Sequence, residues 1–113
     1  MQVKAGELSF NVVETGAGEP ALLFLHYWGG SARTWNVVTS ELSADFRCIA
    51  YDQRGWGHSD IPQEGYSIRD LALDAKRIAE ALHLRHYVLA VVVRMLKTDH
   101  MTKLVERHTM KIE

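Results

Sequence analysis

A chain of 113 residues with a formal net charge of −1 has the size of one small domain. It carries no electrostatic footprint for nucleic acid or for an anionic membrane. Hydrophobic and charged fractions of 47% and 24% are ordinary for a soluble globular protein. The single cysteine, Cys48, excludes an internal disulfide and suits a reducing compartment. No apolar run approaches the roughly 20 residues that span a bilayer, and the amino terminus lacks the apolar core of a signal peptide. The expectation is a cytoplasmic protein that needs no cofactor.

Taken in chain order, Leu8, Phe10 and Val12 alternate with Ser9, Asn11 and Val13, a period of two that predicts a strand over Leu8 to Thr15. Val3 to Ala5 can pair with it through a turn at Gly6, making a hairpin. Gly16 to Pro20 is a turn. Ala21 to Leu25 is a continuous apolar run suited to a parallel strand covered on both faces. The loop His26-Tyr-Trp-Gly-Gly30 follows. Ser31 or Thr34 caps a helix to about Ser43, with Trp35, Val38 and Leu42 at helical spacing. Phe46 to Tyr51 reads as the next strand and Asp52 to Gly65 as loop. Ser67, with Asp70 three residues on, caps a helix whose apolar stripe is Ile68, Leu71, Ala75, Ile78, Ala79 and Leu82. Tyr87 to Val93 is another buried-type strand. Alternation of strands and helices predicts an α/β fold with a parallel sheet. Residues 1–90 form this unit. Residues 91–113 diverge from it, with scattered apolar points and a short helix expected around Met101 to Arg107.

Two loops carry the candidate chemistry. His26-Tyr-Trp-Gly-Gly30 sits at the carboxyl end of a predicted strand, where open parallel sheets bind ligands. Glycines there let backbone N–H groups approach a developing oxyanion; the structural alternative is a plain turn with Trp28 packed as core. The second loop, Asp52-Gln-Arg-Gly-Trp-Gly-His-Ser-Asp60, also follows a strand. Asp52 and Arg54 are expected to pair, Gly55 and Gly57 to make a tight path, and Ser59 to bond nearby backbone. Gly57-His-Ser59 has the outline of half a nucleophile elbow. Position 61 is isoleucine rather than glycine and no helix follows at once, so Ser59 reads as structural.

Other groups are weaker. His83 and His86 lack a third ligand at metal spacing, and loop bonding near a helix end explains them better. No metal site is expected. Cys48 in a buried strand behaves as a small hydrophobe. Trp28, Trp35 and Trp56 fit core or pocket lining, Trp56 being the one most open to solvent.

The strand Leu22 to Leu25, the His26–Gly30 loop and Tyr51-Asp-Gln-Arg-Gly-Trp-Gly-His-Ser59 together resemble the α/β-hydrolase superfamily, nearest to its haloperoxidase, esterase and epoxide hydrolase branch. Ser67 to Ala75 and His83 to Leu89 resemble the helix and entry that precede the catalytic strand. The resemblance covers Leu8 to about Ala90. It implies a partial hydrolase sheet, an amino-terminal hairpin followed by parallel strands with flanking helices, and a small ester or epoxide as the parent family's substrate. It also implies an oxyanion-hole-like loop of His26, Tyr27, Trp28 and Gly29, with Trp28 giving the backbone N–H and His26 positioning the loop. Tyr27 replaces a glycine usual in the family. Asp52, Arg54, Gly55, Gly57 and Ser59 form its structural loop motif.

The same resemblance places the family's G-x-S-x-G elbow at positions 91 to 95. This chain has Val91, Val93 and Met95 there. A β-branched valine resists the strained turn that displays a nucleophile, and it has no atom to serve as one. Asp99 and His100 follow too closely to supply the downstream acid and base, and His108 has no recognisable setting for either role. The expectation is a hydrolase-family chain without its own catalytic triad. The alternatives are a non-enzymatic interaction module, or a half-domain completed by a partner chain. Cut at Tyr87–Val93, the sheet would expose an apolar edge open to self-association.

Overall fold

Alternation on the first strands builds the frame. In this computed structural model, which describes residues 1–26 and 29–91 and the backbone of 109–112, β1 (Gln2–Ala5) and β2 (Leu8–Thr15) form the expected antiparallel hairpin. Phe10 and Val12 point into the core and Val13 is exposed. β3 (Ala21–Leu25), β4 (Cys48–Tyr51) and β5 (Tyr87–Val91) are the parallel strands. With β6 (Thr109–Ile112) they complete a six-stranded mixed sheet ordered β1-β2-β4-β3-β5-β6. The strand expected from Phe46 starts only at Cys48, because the Phe46 N–H still closes the preceding helical turn onto Leu42.

Helices cover the two faces. On one side, a 3₁₀ turn at Ala32–Trp35 leads into α1 (Asn36–Leu42). Ser31 and Thr34 are both used there, in a reciprocal capping box. Trp35 is fully buried and stacks 4.7 Å from Phe24, among Cys48, Ala50 and Ala90. On the other side, α2 (Ile68–Ala81) packs Ala75, Ile78 and Ala79 against Phe10, Leu23, Ile49 and Leu89. The Ser67–Asp70 capping box opens α2 as expected. Ile68 does not belong to the stripe: at 83% exposure it points to solvent. The apolar face begins one turn later, and Asp74 occupies it instead.

α2 ends with His83 in the left-handed region at φ 57. The His83 N–H donates to Glu80 O and the Leu84 N–H to Ala79 O, the paired bonds of a Schellman end. His83 is thus a backbone cap. It and His86 are exposed, and no cluster of metal-ligating side chains exists among the described residues.

The expected apolar edge at β5 is corrected. β6 runs antiparallel along it, pairing Tyr87 with Ile112 and Ala90 with Thr109, so the hydrogen-bonding groups on that side of β5 are occupied and the edge passes to β6. β5 itself pairs with β3 as far as Val91. Val93, Arg94 and Met95, the tail acids and histidines, and the helix expected over Met101 to Arg107 lie outside the described residues. No described helix is long and apolar enough to cross a membrane.

Candidate oxyanion-type site

Both candidate loops leave the carboxyl ends of neighbouring parallel strands, β3 and β4, and they are fastened to each other. His26 is 2% exposed. Its Nε2 accepts from the Gln53 backbone N–H at 2.9 Å, and its carbonyl accepts from Gln53 Nε2 at 2.7 Å. An imidazole nitrogen used this way positions the loop and is not free to take a proton from substrate. Gln53 Oε1 is buried without a hydrogen-bond partner among the described residues. Trp28, which carries the expected oxyanion N–H, and Tyr27 before it lie outside the described residues. Gly29 follows at φ +90, and a Cβ built there would have nothing within 4 Å among the described residues.

Asp52 is the hub of the second loop. Its Oδ1 accepts from the Ala32 N–H at 2.7 Å, and its Oδ2 accepts from Asn11 Nδ2 and the His58 N–H, both at 3.0 Å. One carboxylate therefore ties β2, the turn after the first loop, and its own loop together. Burial alone would push this carboxyl up. The N–H donors of Ala32 and His58, the Asn11 amide and the neighbouring His26 outweigh it, and the group sits below the usual aspartate range. Gly57 is packed onto this hub: at φ +52, a Cβ there would fall 2.2 Å from Asp52 Oδ2. Ser59 Oγ donates to the Asp52 carbonyl and accepts from the Asn11 N–H at 2.8 Å. With both roles of the hydroxyl taken, Ser59 is built as a tie and not presented as a nucleophile.

The expected Asp52–Arg54 pair does not form. Asp52 is saturated by neutral donors, and Arg54 turns to Asp74 on α2, with Nε to Oδ2 at 2.6 Å and Nη2 to Oδ1 at 2.7 Å. Its Nη1 donates to the Gly65 carbonyl at 2.6 Å. Arg54 and Asp74 are 8% and 2% exposed. This bidentate pair raises the guanidinium further. Asp74 and burial together hold the neighbouring Tyr51 phenol well above its ordinary range, burial being the larger cause. Gly55 leaves room for the Tyr66 ring, whose Cε1 would lie 2.6 Å from a Cβ there. Asp74, Asn11 and Gln53 were not among the sequence candidates. Asp74 left a signal, since a carboxylate spaced between Leu71 and Ile78 on an apolar stripe must find a buried partner.

This arrangement is a rigid platform beside an open glycine loop, and it matches known proteins. The alpha/beta hydrolase fold family model matches residues 20–91, more than half of the chain. A 2-(acetamidomethylene)succinate hydrolase of Mesorhizobium japonicum is 36% identical over 88 residues, which make up 78% of this chain and 31% of that protein. Epoxide hydrolase 1 of Caenorhabditis elegans is 33% identical over 94 residues, covering 80% of this chain and 22% of the relative. The crystal structure of an epoxide hydrolase from Vigna radiata superposes with a TM-score of 0.77 at 27% identity, over 82% of this chain and 30% of that one. The chain thus spans less than a third of the length of these relatives, and the family match takes in β3 to β5, the two helices and the two loops just described. It belongs to the α/β-hydrolase superfamily.

Proposed function

We propose that this chain provides the oxyanion-loop portion of an α/β-hydrolase site and does not itself hydrolyse esters or epoxides. The observation that carries the reading is the identity of the residues where β5 ends. Val91 is still in register with Leu25, and the serine and glycines that the resemblance calls for at 91, 93 and 95 are Val91, Val93 and Met95. Acyl transfer or epoxide opening in this superfamily needs a hydroxyl or carboxylate nucleophile at that point. Oxyanion stabilisation without one has no intermediate to act on. His26, the one histidine at the loop, is held as a hydrogen-bond acceptor by Gln53, and Ser59 is fully engaged. Neither can stand in.

The test is turnover of a p-nitrophenyl ester and of a terminal epoxide by the purified chain. The expected rate equals that of buffer, with no burst of p-nitrophenol. Saturable turnover that survives purification to homogeneity would overturn the reading.

A further inference from the structure

The outer edge of β5 is closed by a segment from far along the chain. The Ala21 N–H donates to the His86 carbonyl at 3.1 Å, so the backbone groups of His86 face β3. Along a strand these groups alternate from side to side, the N–H and C=O of one residue sharing a side. Val88 and Ala90 therefore also face β3, and Tyr87, Leu89 and Val91 turn theirs outward. β6 meets that edge with Met110 opposite Leu89 and Ile112 opposite Tyr87. These are the hydrogen-bonded pairs of the antiparallel ladder, and Lys111–Val88 and Thr109–Ala90 are the non-hydrogen-bonded ones. The N–H groups of Met110 and Ile112 thus point at β5, and that of Lys111 points away.

The two strands make very different edges. β5, Tyr-Val-Leu-Ala-Val, is five residues without a charge. A strand of that kind with its outward donors and acceptors unpaired is a template for pairing with another chain. β6, Thr-Met-Lys-Ile, is four residues long, with Lys111 within it and Glu113 directly after it. Shortness and a lysine are the means by which natural sheets blunt an exposed edge. Seating β6 therefore exchanges an edge that invites association for one that resists it. We propose that Thr109–Ile112 is a guard strand. It occupies a strand-acceptor site on β5 that otherwise takes β5 of a second copy, and so keeps the chain monomeric.

Sedimentation of variants of the full chain across a concentration series tests this, with amide hydrogen exchange read at Leu89 in dilute samples. The wild type is expected to stay monomeric with the Leu89 amide protected. Met110→Pro removes a donor aimed at β5. It is expected to associate, and when dilute its Leu89 amide should exchange about tenfold faster. Lys111→Pro alters the same strand where the N–H faces outward, a position that tolerates proline, and is expected to remain monomeric and protected. Ile112→Pro removes the other inward donor and gives the same reading should Met110→Pro unfold, which far-ultraviolet circular dichroism shows. A wild type that associates overturns the proposal. So does an equal response of the inward variants and Lys111→Pro, which would separate the effect from the ladder. Release of the Leu89 amide in a chain that stays monomeric overturns it too, because the freed edge would then accept no second copy.

Discussion

The two loops at the carboxyl end of the sheet are built to opposite specifications. Along Asp52–Asp60 the two aspartates, the arginine and the serine are answered by protein. Asp52 takes three donors, Ser59 both gives and accepts, Arg54 is fixed by Asp74 and Gly65, and Asp60 accepts from the Ser9 N–H at 2.8 Å. The His26–Gly30 loop is held at its root by Gln53, and at Gly29 it is open as far as the described residues go. Where polar groups are consumed internally and no Cβ can be added, a loop serves as scaffold. Where a glycine opens outward from a fixed root, backbone can approach a ligand. The conspicuous D-x-R-G-x-G-x-S motif is therefore the support, and the sparser loop is the part available to chemistry.

The largest way to break that contrast is to cut the support at its buried ion pair. Removing one member leaves the other charge buried and unpaired, which typically costs about 3–5 kcal/mol. Asp74→Ala is therefore expected to lower the urea midpoint severely or to abolish folding. The double variant Arg54→Met/Asp74→Leu should recover much of the loss, since an apolar pair of similar volume can replace a buried salt bridge. Equal destabilisation of the single and double variants would mean that the pair's geometry, and not its charge, supports the loop.

A second comparison sets one glycine against another. Gly57→Ala and Gly29→Ala both place a side chain at positive φ, a strain of about 1–2 kcal/mol each. Only Gly57→Ala also drives a methyl to 2.2 Å from Asp52 Oδ2, so the carboxylate must leave its donors. We expect Gly57→Ala to cost at least about 2 kcal/mol more than Gly29→Ala, from the loss of buried hydrogen bonds to a charged group. Thermal or urea unfolding of the two variants side by side checks it. Similar costs would mean that the Asp52 hub yields easily, and the distinction between a packed loop and an open one would lose its basis.

How far the sequence carried depended on the range of the forces involved. The hairpin, β3 and the Ser67 cap follow from local periodicity and capping, and they stand where residue spacing places them. Ile68 was misplaced because helical spacing alone cannot tell the first exposed turn from the buried ones. The partner of Arg54 was misread for a related reason. Asp52 is two residues away in sequence, whereas Asp74 is brought in only by packing α2 across the sheet. The neighbour in sequence was already saturated by Ala32, Asn11 and His58, two of which come from distant segments. The covering of β5 was equally non-local. Nothing in the composition of residues 91–113 signals that Thr109–Ile112 pairs back onto it, since strand pairing is decided by the edge it meets.

The smallest expected effect concerns the charge on the Asp52 hub. Its folded-state carboxyl titrates below the ordinary value: burial works against ionisation, but the Ala32 and His58 N–H groups, the Asn11 amide and His26 together favour the ionised form. A group depressed in this way binds protons more weakly folded than unfolded. It therefore contributes stability in full above the unfolded pKa of about 3.9, and the contribution fades as pH falls through the lower folded value. Asp52→Asn removes that charge and also turns one donor-only amide nitrogen toward N–H groups. It is expected to cost about 1–3 kcal/mol at neutral pH. Because the wild type loses its own advantage in acid, the urea midpoints of wild type and Asp52→Asn should approach each other as the pH falls below the reference value of about 3.9. A gap that stays constant there would show that Asp52 holds the two loops through shape and not through ionised hydrogen bonds. The scaffold loop would then be as insensitive to charge as the open one.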